Sequence, residues 1–462
     1  MFAEIKSVHF VGICGTAMAS TAAAMKERGF QVSGSDQNVY PPMSTFLAGR
    51  HIAVTAGYAE QNLAHRPDLV VVGNALSRGN PEVEAVLDRK LRYCSLPELL
   101  KEYFIRGKRS IVVTGTHGKT TTTSLLAWVF DHNGFNPSFL IGGIPNNLGQ
   151  GARFTDSEWF IIEGDEYDTA FFDKRSKFVH YLPELVIINN LEFDHADIFE
   201  NLAAIQTSFK RLINLIPRNG QLLANGDDPN IAPLLSVTHC PVKRFGLGEE
   251  NSLRGFNLKL APTASEFEIS SFKFHLNLVG ELNVRNALAV VACAKHYGLK
   301  NSQIQSAFDT FKGIKRRMEI RGISGGVTVV DDFGHHPTAI RETLRALRIR
   351  FPSQKIWAIF EPRSNTTRRN VFQTELVWAF ADADAVVISQ VAALEQVPPE
   401  ERLDPARLIE ELQIIGKPSV YLPDVESIVQ HIGQGAQGGD VVCVFSNGGF
   451  GGIHGKLLSR LQ

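Results

Sequence analysis

Three α/β units in series are what this sequence predicts, and three observations predict them. The 462 residues amount to about three domains of ordinary size. Short apolar runs bounded by glycine alternate with helical stretches, which is how βα units on a mainly parallel sheet are written. That strand–turn–helix pattern also starts afresh, first at Ser7, again at Ser110 and once more at Gly325. The restarts divide the chain into residues 1–108, 109–313 and 314–462.

In the first unit, Ser7 to Gly12 reads as a buried strand, followed by a glycine-containing turn and an alanine-rich helix that runs towards Arg28 and stops at Gly29. The run DLVVVGNA from Asp68 has the same strand character, and Glu82 to Lys90 reads as a helix. A polar break, Arg106-Gly107-Lys108-Arg109, precedes the strand Ser110 to Thr114 with its own glycine-rich turn and helix. Further along, Glu158 to Ile162 and LVIINN read as strands. Phe267 to Leu278 alternates in the manner of antiparallel strands, and Asn286 to Tyr297 reads as a helix closed by Gly298. In the third unit Val327 to Val330, Ile356 to Phe360, Ala385 to Ile388 and Val441 to Phe445 alternate with helical stretches.

Composition narrows the function. With 44% hydrophobic and 21% charged residues the chain is a folded globular protein. Lys plus Arg number 47 against 48 for Asp plus Glu, so no global field exists to wrap nucleic acid, and anionic ligands must be held locally. Five scattered cysteines form no C-x-x-C spacing, which disfavours a disulfide framework or structural zinc and suits a reducing cytoplasm. The start MFAEIKSVHFVGICG runs straight into a strand pattern, and no 18 apolar residues run unbroken, so neither export signal nor membrane span is expected.

The segment VVTGTHGKTTTT, residues 112–123, places Gly115, Thr116, Gly118, Lys119, Thr120 and Thr121 between a strand and a helix. Glycines let backbone N–H groups approach phosphate oxygens. The helix start adds partial positive charge, Lys119 reaches the β/γ-phosphates, and the Thr120 hydroxyl can ligate Mg²⁺. The strict phosphate-loop pattern fails at one point, since Val113 stands where its first glycine belongs. ATP is nonetheless the ligand this loop suits. A cation there calls for oxygen ligands at strand ends. EWFIIEGDEYD delivers Glu163 at the C-terminal edge of its strand, and LVIINN leads to Leu191-Glu192-Phe193-Asp194-His195. On residue type alone, Glu163 is evenly balanced between metal ligand and structural acid, and His195 is more often an ordinary satisfied histidine.

GTHGKTTT, EGDEYD, NNLEFDHAD, ELNVRNALA, KRRMEIRG and DDFGHHPT, in this order, resemble the ATP-dependent Mur ligase family of peptidoglycan synthesis, and the resemblance covers nearly the whole chain. It implies a Rossmann-like UDP-sugar-binding unit, a central ATPase unit with additional antiparallel strands, and a Rossmann-like peptide-binding unit. Lys119 and Thr120 then serve phosphates and Mg²⁺, and Glu163 and His195 the metal sites. Asn283 and Asn286 match an adenine-contacting pair, although Asn283 without the resemblance reads as a helix cap. Arg317 matches an arginine that reaches ATP from the domain junction, and Asp332 a ribose-contacting acid. In the bland reading, KRRMEIRG is a solvated basic run and DDFGHHPT a strand-end turn. The turn VGICGTAMA is similar to the family's UDP-binding loop, with Gly12 and Gly15 beside the diphosphate and Asp36 facing the ribose or uracil. Several relatives carry a carbamylated lysine beyond the His195 motif; SFKRLI puts Phe209 at that place, or Lys210 if the register shifts by one, and no carbamylation is expected.

NVYPPMST, RGNP, AFFDKRSKFVHY, EPRSNT and SNGGFGGIH resemble the branch of the family that ligates a whole peptide more than the branch that adds L-alanine. This implies UDP-N-acetylmuramate and L-Ala-γ-D-Glu-meso-diaminopimelate as substrates in peptidoglycan recycling, with Arg363 and Asn365 of EPRSNT on the acceptor peptide. An amide forms from a carboxylate only through a better leaving group than hydroxide, and ATP supplies phosphate through an acyl phosphate, with Lys119, Mg²⁺ and Arg317 stabilising charge on the transferring group. L-alanine addition is the nearest alternative. A nicotinamide-dependent oxidoreductase is disfavoured because G-x-G-x-x-G needs glycine where Cys14 and Ala17 stand. A non-catalytic regulator has no use for Lys119, Glu163, His195 and Arg317 together.

Overall fold

Central strands such as Leu69–Val72, Leu185–Ile188, Ile356–Phe360 and Val441–Phe445 are apolar at every position, so both faces of their sheets must be covered, and helices cover them. A computed structural model describes residues 4–462. Its first sheet has five parallel strands in the order Ala53–Ala56, Gln31–Asp36, Ser7–Val11, Leu69–Val72 and Tyr93–Ser95. Strand order reverses beside Ser7–Val11, the kind of point where such sheets open a ligand crevice, and Gly12 and Asp36 lie at that edge.

The second sheet has eight strands in the order Leu253–Arg254, Val242–Gly246, Gln221–Asn225, Leu185–Ile188, Arg109–Thr114, Trp159–Glu163, Ser138–Leu140 and Ala152–Arg153. Only the last pair is antiparallel. Arg109–Thr114 lies between Leu185–Ile188 and Trp159–Glu163, so the glycine-rich turn, Glu163 and the segment from Asn189 to His195 leave the sheet at one edge. Ten of the fourteen residues of the next helix, Lys119–His132, are buried against Glu281–His296 and the sheet. Thr122 and Thr123 tolerate this because their hydroxyls are bonded: Thr123 Oγ1 donates to Lys119 O at 2.7 Å, and Asn189 Nδ2 donates to Thr122 Oγ1 at 2.8 Å. A small antiparallel sheet, Phe256–Leu260, Ser265–Ile269 and Phe272–Leu276, shares the same apolar core.

The third principal sheet runs Glu319–Ser324, Val327–Asp332, Val441–Phe445, Ile356–Phe360, Ala385–Ser389 and Ser419–Leu422. Its first pair is antiparallel, so the restart read at Gly325 is the tip of a hairpin and part of KRRMEIRG is a strand rather than a solvated run. Gly325 and Gly326 have φ of +55° and +78°, the left-handed pair that a two-residue hairpin turn requires. A second difference concerns ELNVRN, which is the first turn of the helix Glu281–His296. Asn283 therefore lies inside the helix and does not cap it: its Nδ2 donates to Val279 O at 2.8 Å. All five cysteines are unbridged, and no helix of the described residues is long and apolar enough to cross a membrane.

Candidate active site

The glycine-rich turn is shaped by what stands beneath it. Gly115 and Gly118 have φ of +137° and +77°, and a Cβ at Gly118 would collide with the Asn286 side chain. Asn286 is 2% exposed and lies directly under the loop. Asn190 brackets the turn from the other side, accepting from His117 N at 2.7 Å and donating to His117 O at 3.0 Å. The helix Lys119–His132 starts with no side-chain cap and no acid in its first turn, so its leading amides suit an anion.

Lys119 leads that helix, and its Nζ donates to Gly115 O at 2.7 Å and to both Glu166 oxygens at 2.8 Å. Burial opposes the charge, but Glu166 and Asp165 prevail and hold the ammonium above its ordinary range. Glu163, the last residue of its strand, accepts from Thr120 Oγ1 at 2.9 Å and from Gly142 N at 2.7 Å. Burial pushes its carboxyl up despite these donors, which is the state of an acid short of positive charge and suited to a cation. Arg317 Nη2 reaches Thr120 Oγ1 at 3.2 Å from the far side.

His195 stands apart from Glu163 in this network. Its Nε2 lies 3.1 Å from Glu166 Oε1, and its ring meets Tyr167 edge-on at 4.5 Å. Burial works against the imidazolium, but the Glu166 carboxylate outweighs it and raises the pKa. The ligating atoms of His195, Glu166 and Asp165 lie within 4.8 Å of one another, so the acids that gather round His195 are ones the sequence reading passed over. Asp165 pairs with Lys177 at 2.6 Å, and although burial opposes ionisation, Lys177 and Lys119 bring it down to about 2. The residues present therefore fit a triphosphate and a divalent cation: an uncapped helix start, a lysine, a hydroxyl and several converging carboxylates.

A seven-residue strip, Leu191 to Asp197, carries this site to the third unit. Glu192 accepts from Thr338 Oγ1 at 2.7 Å, Phe193 O faces His336 Nε2 at 3.1 Å, and Asp194 accepts from Thr366 Oγ1 at 2.9 Å. His117, Glu192 and His336 form a second group that no single motif announced. Asn365 donates to Asp197 Oδ2 at 2.7 Å, so it is bonded to the middle unit rather than left open. Arg363 is exposed, rests over Gly448, and lies 3.5 Å from Glu361. Asp332 is buried, and its two oxygens accept from Met318 N at 2.9 Å and Gly334 N at 2.8 Å. It shapes the turn that carries Phe333, over whose ring Arg317 lies at 5.1 Å.

The N-terminal loop is partly spent on itself. Gly12 N and Ile13 N both donate to Ser35 O, at 2.8 and 3.0 Å, and Cys14 N donates to Asp36 Oδ2 at 2.8 Å. Asp36 Oδ1 accepts from Asn38 N at 2.9 Å, so this acid holds the loop in shape. Gly15 is exposed and begins the helix Thr16–Glu27, which has no side-chain cap and no acid in its first turn, so its leading amides suit an anion. Phe209 is buried against Phe178 in the core, at 5.4 Å between ring centroids, and offers no amine.

Fold and site together define a phosphate-loop α/β protein with a second α/β unit docked on its nucleotide edge. Family models agree: "Mur ligase family, catalytic domain" matches residues 7–107, "Mur ligase middle domain" 113–294 and "Mur ligase, glutamate ligase domain" 316–448. The chain is 42% identical to the UDP-N-acetylmuramate–L-alanyl-γ-D-glutamyl-meso-2,6-diaminoheptandioate ligase of Escherichia coli, over 98% of both chains. It is 32% identical to a UDP-N-acetylmuramate–L-alanine ligase of Variovorax paradoxus, over 98% of this chain and 95% of the relative. A murein peptide ligase from Psychrobacter arcticus has the same fold, with a TM-score of 0.74, 36% identity and coverage of 99% of this chain and 98% of that one. The chain belongs to the Mur ligase family.

Proposed function

We propose that this protein is an ATP-dependent amide ligase that joins L-Ala-γ-D-Glu-meso-diaminopimelate to UDP-N-acetylmuramate in peptidoglycan recycling. The carrying observation is the 42% identity over 98% of both chains to a relative named for that reaction, against 32% to one named for L-alanine. The lactyl carboxylate of the sugar nucleotide attacks the γ-phosphate of ATP, the bond to the bridging oxygen breaks, and ADP leaves. The terminal amine of the tripeptide then attacks the acyl phosphate, forming the C–N bond as phosphate departs and the amine gives up a proton.

Residues 1–108 hold the sugar nucleotide through Gly12, Gly15 and Asp36, residues 109–313 hold ATP, and residues 314–462 hold the peptide through Arg363 and Asn365. Lys119 leaves Glu166 for the phosphates, and the amides of Gly115 to Thr121 cradle them. Asn283, Asn286, Arg317 and Asp332 complete the nucleotide pocket where the units meet. Bound Mg²⁺ would neutralise charge on the transferring phosphoryl group; Thr120 and Glu163 would hold it on one side of the site and His195 on the other. A cytoplasmic setting suits a reaction that consumes ATP. The test is a steady-state comparison of acceptors: kcat/KM for the tripeptide should far exceed that for L-alanine, and the reverse order would make this the alanine-adding enzyme.

A further inference from the structure

Where the middle and third units meet, Asp197 carries an atom that the protein leaves unanswered. Its Oδ2 accepts from the Tyr167 hydroxyl at 2.8 Å and from Asn365 Nδ2 at 2.7 Å. Its Oδ1 is buried and has no hydrogen-bond partner within the protein. The large majority of buried polar atoms in native proteins are paired, and a carboxylate oxygen is among the costliest to leave bare.

The surroundings say what would pair it. Tyr167 packs on His195, which joins Glu166 and through it Lys119, so one side of Asp197 faces the phosphate-handling residues. Asn365 belongs to EPRSNT on the third unit, so the other side faces the acceptor. The neighbouring cations are committed elsewhere, Lys177 to Asp165 at 2.6 Å and Lys119 to Glu166 at 2.8 Å. Arg368 gives its Nη atoms to the Asn365 carbonyl, Ala393 O and Gln396 Oε1, and its Nε, though itself unpaired, makes no bond to Asp197. What fits the bare oxygen is a compact nitrogen donor seated between the units, and the reaction brings one to that spot.

We infer that Asp197 receives the terminal amino group of the acceptor peptide, an inference that rests on the ligase reading above. Tyr167 and Asn365 fix the plane of the carboxylate, and Oδ1 accepts from the amine, aiming the nitrogen at the acyl carbon. Asp197 makes no covalent bond in the step; it supplies orientation. Its partners belong to different units and are already in place, so the contact needs only the two units docked as they are here.

Two ligands test this: the tripeptide, and the analogue in which propionyl replaces L-alanyl, which lacks only the amine. Both are titrated into the full protein with UDP-N-acetylmuramate and a non-hydrolysable ATP analogue present. Wild type should bind the tripeptide at least tenfold more tightly than the analogue, and Asp197→Asn should bind the two within twofold of each other. In turnover, Asp197→Asn should raise KM for the tripeptide at least tenfold and KM for ATP by less than twofold. Equal binding of the two ligands by wild type overturns the inference, as does a variant that keeps the preference; the wild-type comparison stands even if the variant does not fold. Failure of the ligase reading looks different, since wild type would then bind neither ligand.

Discussion

The phosphate loop and the EPRSNT segment, to which we assign the acceptor peptide, are built in opposite ways. Nearly every partner of the loop lies within the middle unit: Asn190 brackets it, Asn286 supports Gly118, and Glu166 holds Lys119. From beyond it come Arg317, on Thr120, and His336, whose ring lies 4.4 Å from that of His117. In EPRSNT, by contrast, Asn365 and Thr366 take their partners, Asp197 and Asp194, from the middle unit, while Arg363 stands exposed. The loop is preorganised before any neighbour docks, and the acceptor motif is completed only by docking. On the proposed assignment, phosphoryl transfer, whose catalysis is mostly positioning and electrostatics, has a rigid seat, and acceptor choice has an adjustable one.

The largest effect should come from the rigid seat. Lys119→Ala removes the cation nearest the transferring phosphate and should lower ADP formation at least about 1000-fold, the scale of losing a key electrostatic contact. Calorimetry should find UDP-N-acetylmuramate binding within twofold of wild type; equal loss of both would mean the two ligands share a seat. Glu163→Gln comes next: it should slow turnover by about 100-fold and shift the Mg²⁺ titration to higher concentration, because a charged oxygen ligand is lost. An unchanged titration would return Glu163 to a structural role.

Arg363→Ala should act on the adjustable seat alone, lowering kcat/KM for the tripeptide by roughly 10- to 50-fold through loss of a guanidinium–carboxylate pair, with ATP affinity unaltered. The smallest effect concerns docking. Burial and the neighbouring His117 push His336 down to about 3; Glu192 is brought down to about 2, burial opposing and His117 favouring its charge. Both groups bind fewer protons folded than unfolded, so their stabilisation is present at neutral pH and lost as pH falls, first below the ordinary imidazole value of 6.5 and then below the carboxyl value of 4.5. Thermal unfolding should therefore drop between pH 7.5 and 5, and His336→Asn, which keeps a cap for the helix Pro337–Arg350, should flatten that slope. A wild-type melting profile without slope would remove these groups from the docking energetics.

The same contrast decides how much could be read from sequence. Strands such as Ser7–Val11, Arg109–Thr114 and Ile356–Phe360 were legible because continuous apolar runs and glycine stops are local signals. So were Lys119 and Glu163, whose placement follows from one strand and one turn. Glu166 stood in the same EGDEYD motif, but beyond the strand end alternation no longer says which side chain points where, and its partner Lys119 is 47 residues away. His117, Glu192 and His336 meet across two units, and Asp197 finds Asn365 across 168 residues, which no spacing rule encodes. Asp36, Asp332 and Asn286 were legible as polar residues near a site, yet whether an acid or amide serves ligand or backbone depends on which N–H groups the fold brings to it.

The central claim is the identity of the joined pair, and a product mass tests it most directly. The protein is incubated with ATP, Mg²⁺, UDP-N-acetylmuramate and an equimolar mixture of the tripeptide and L-alanine, and the sugar nucleotide is weighed by mass spectrometry. The account predicts a single dominant product heavier than UDP-N-acetylmuramate by the tripeptide less one water, formed in step with ADP. A product heavier by alanine less one water, or ADP formed with the sugar nucleotide unchanged, would contradict it.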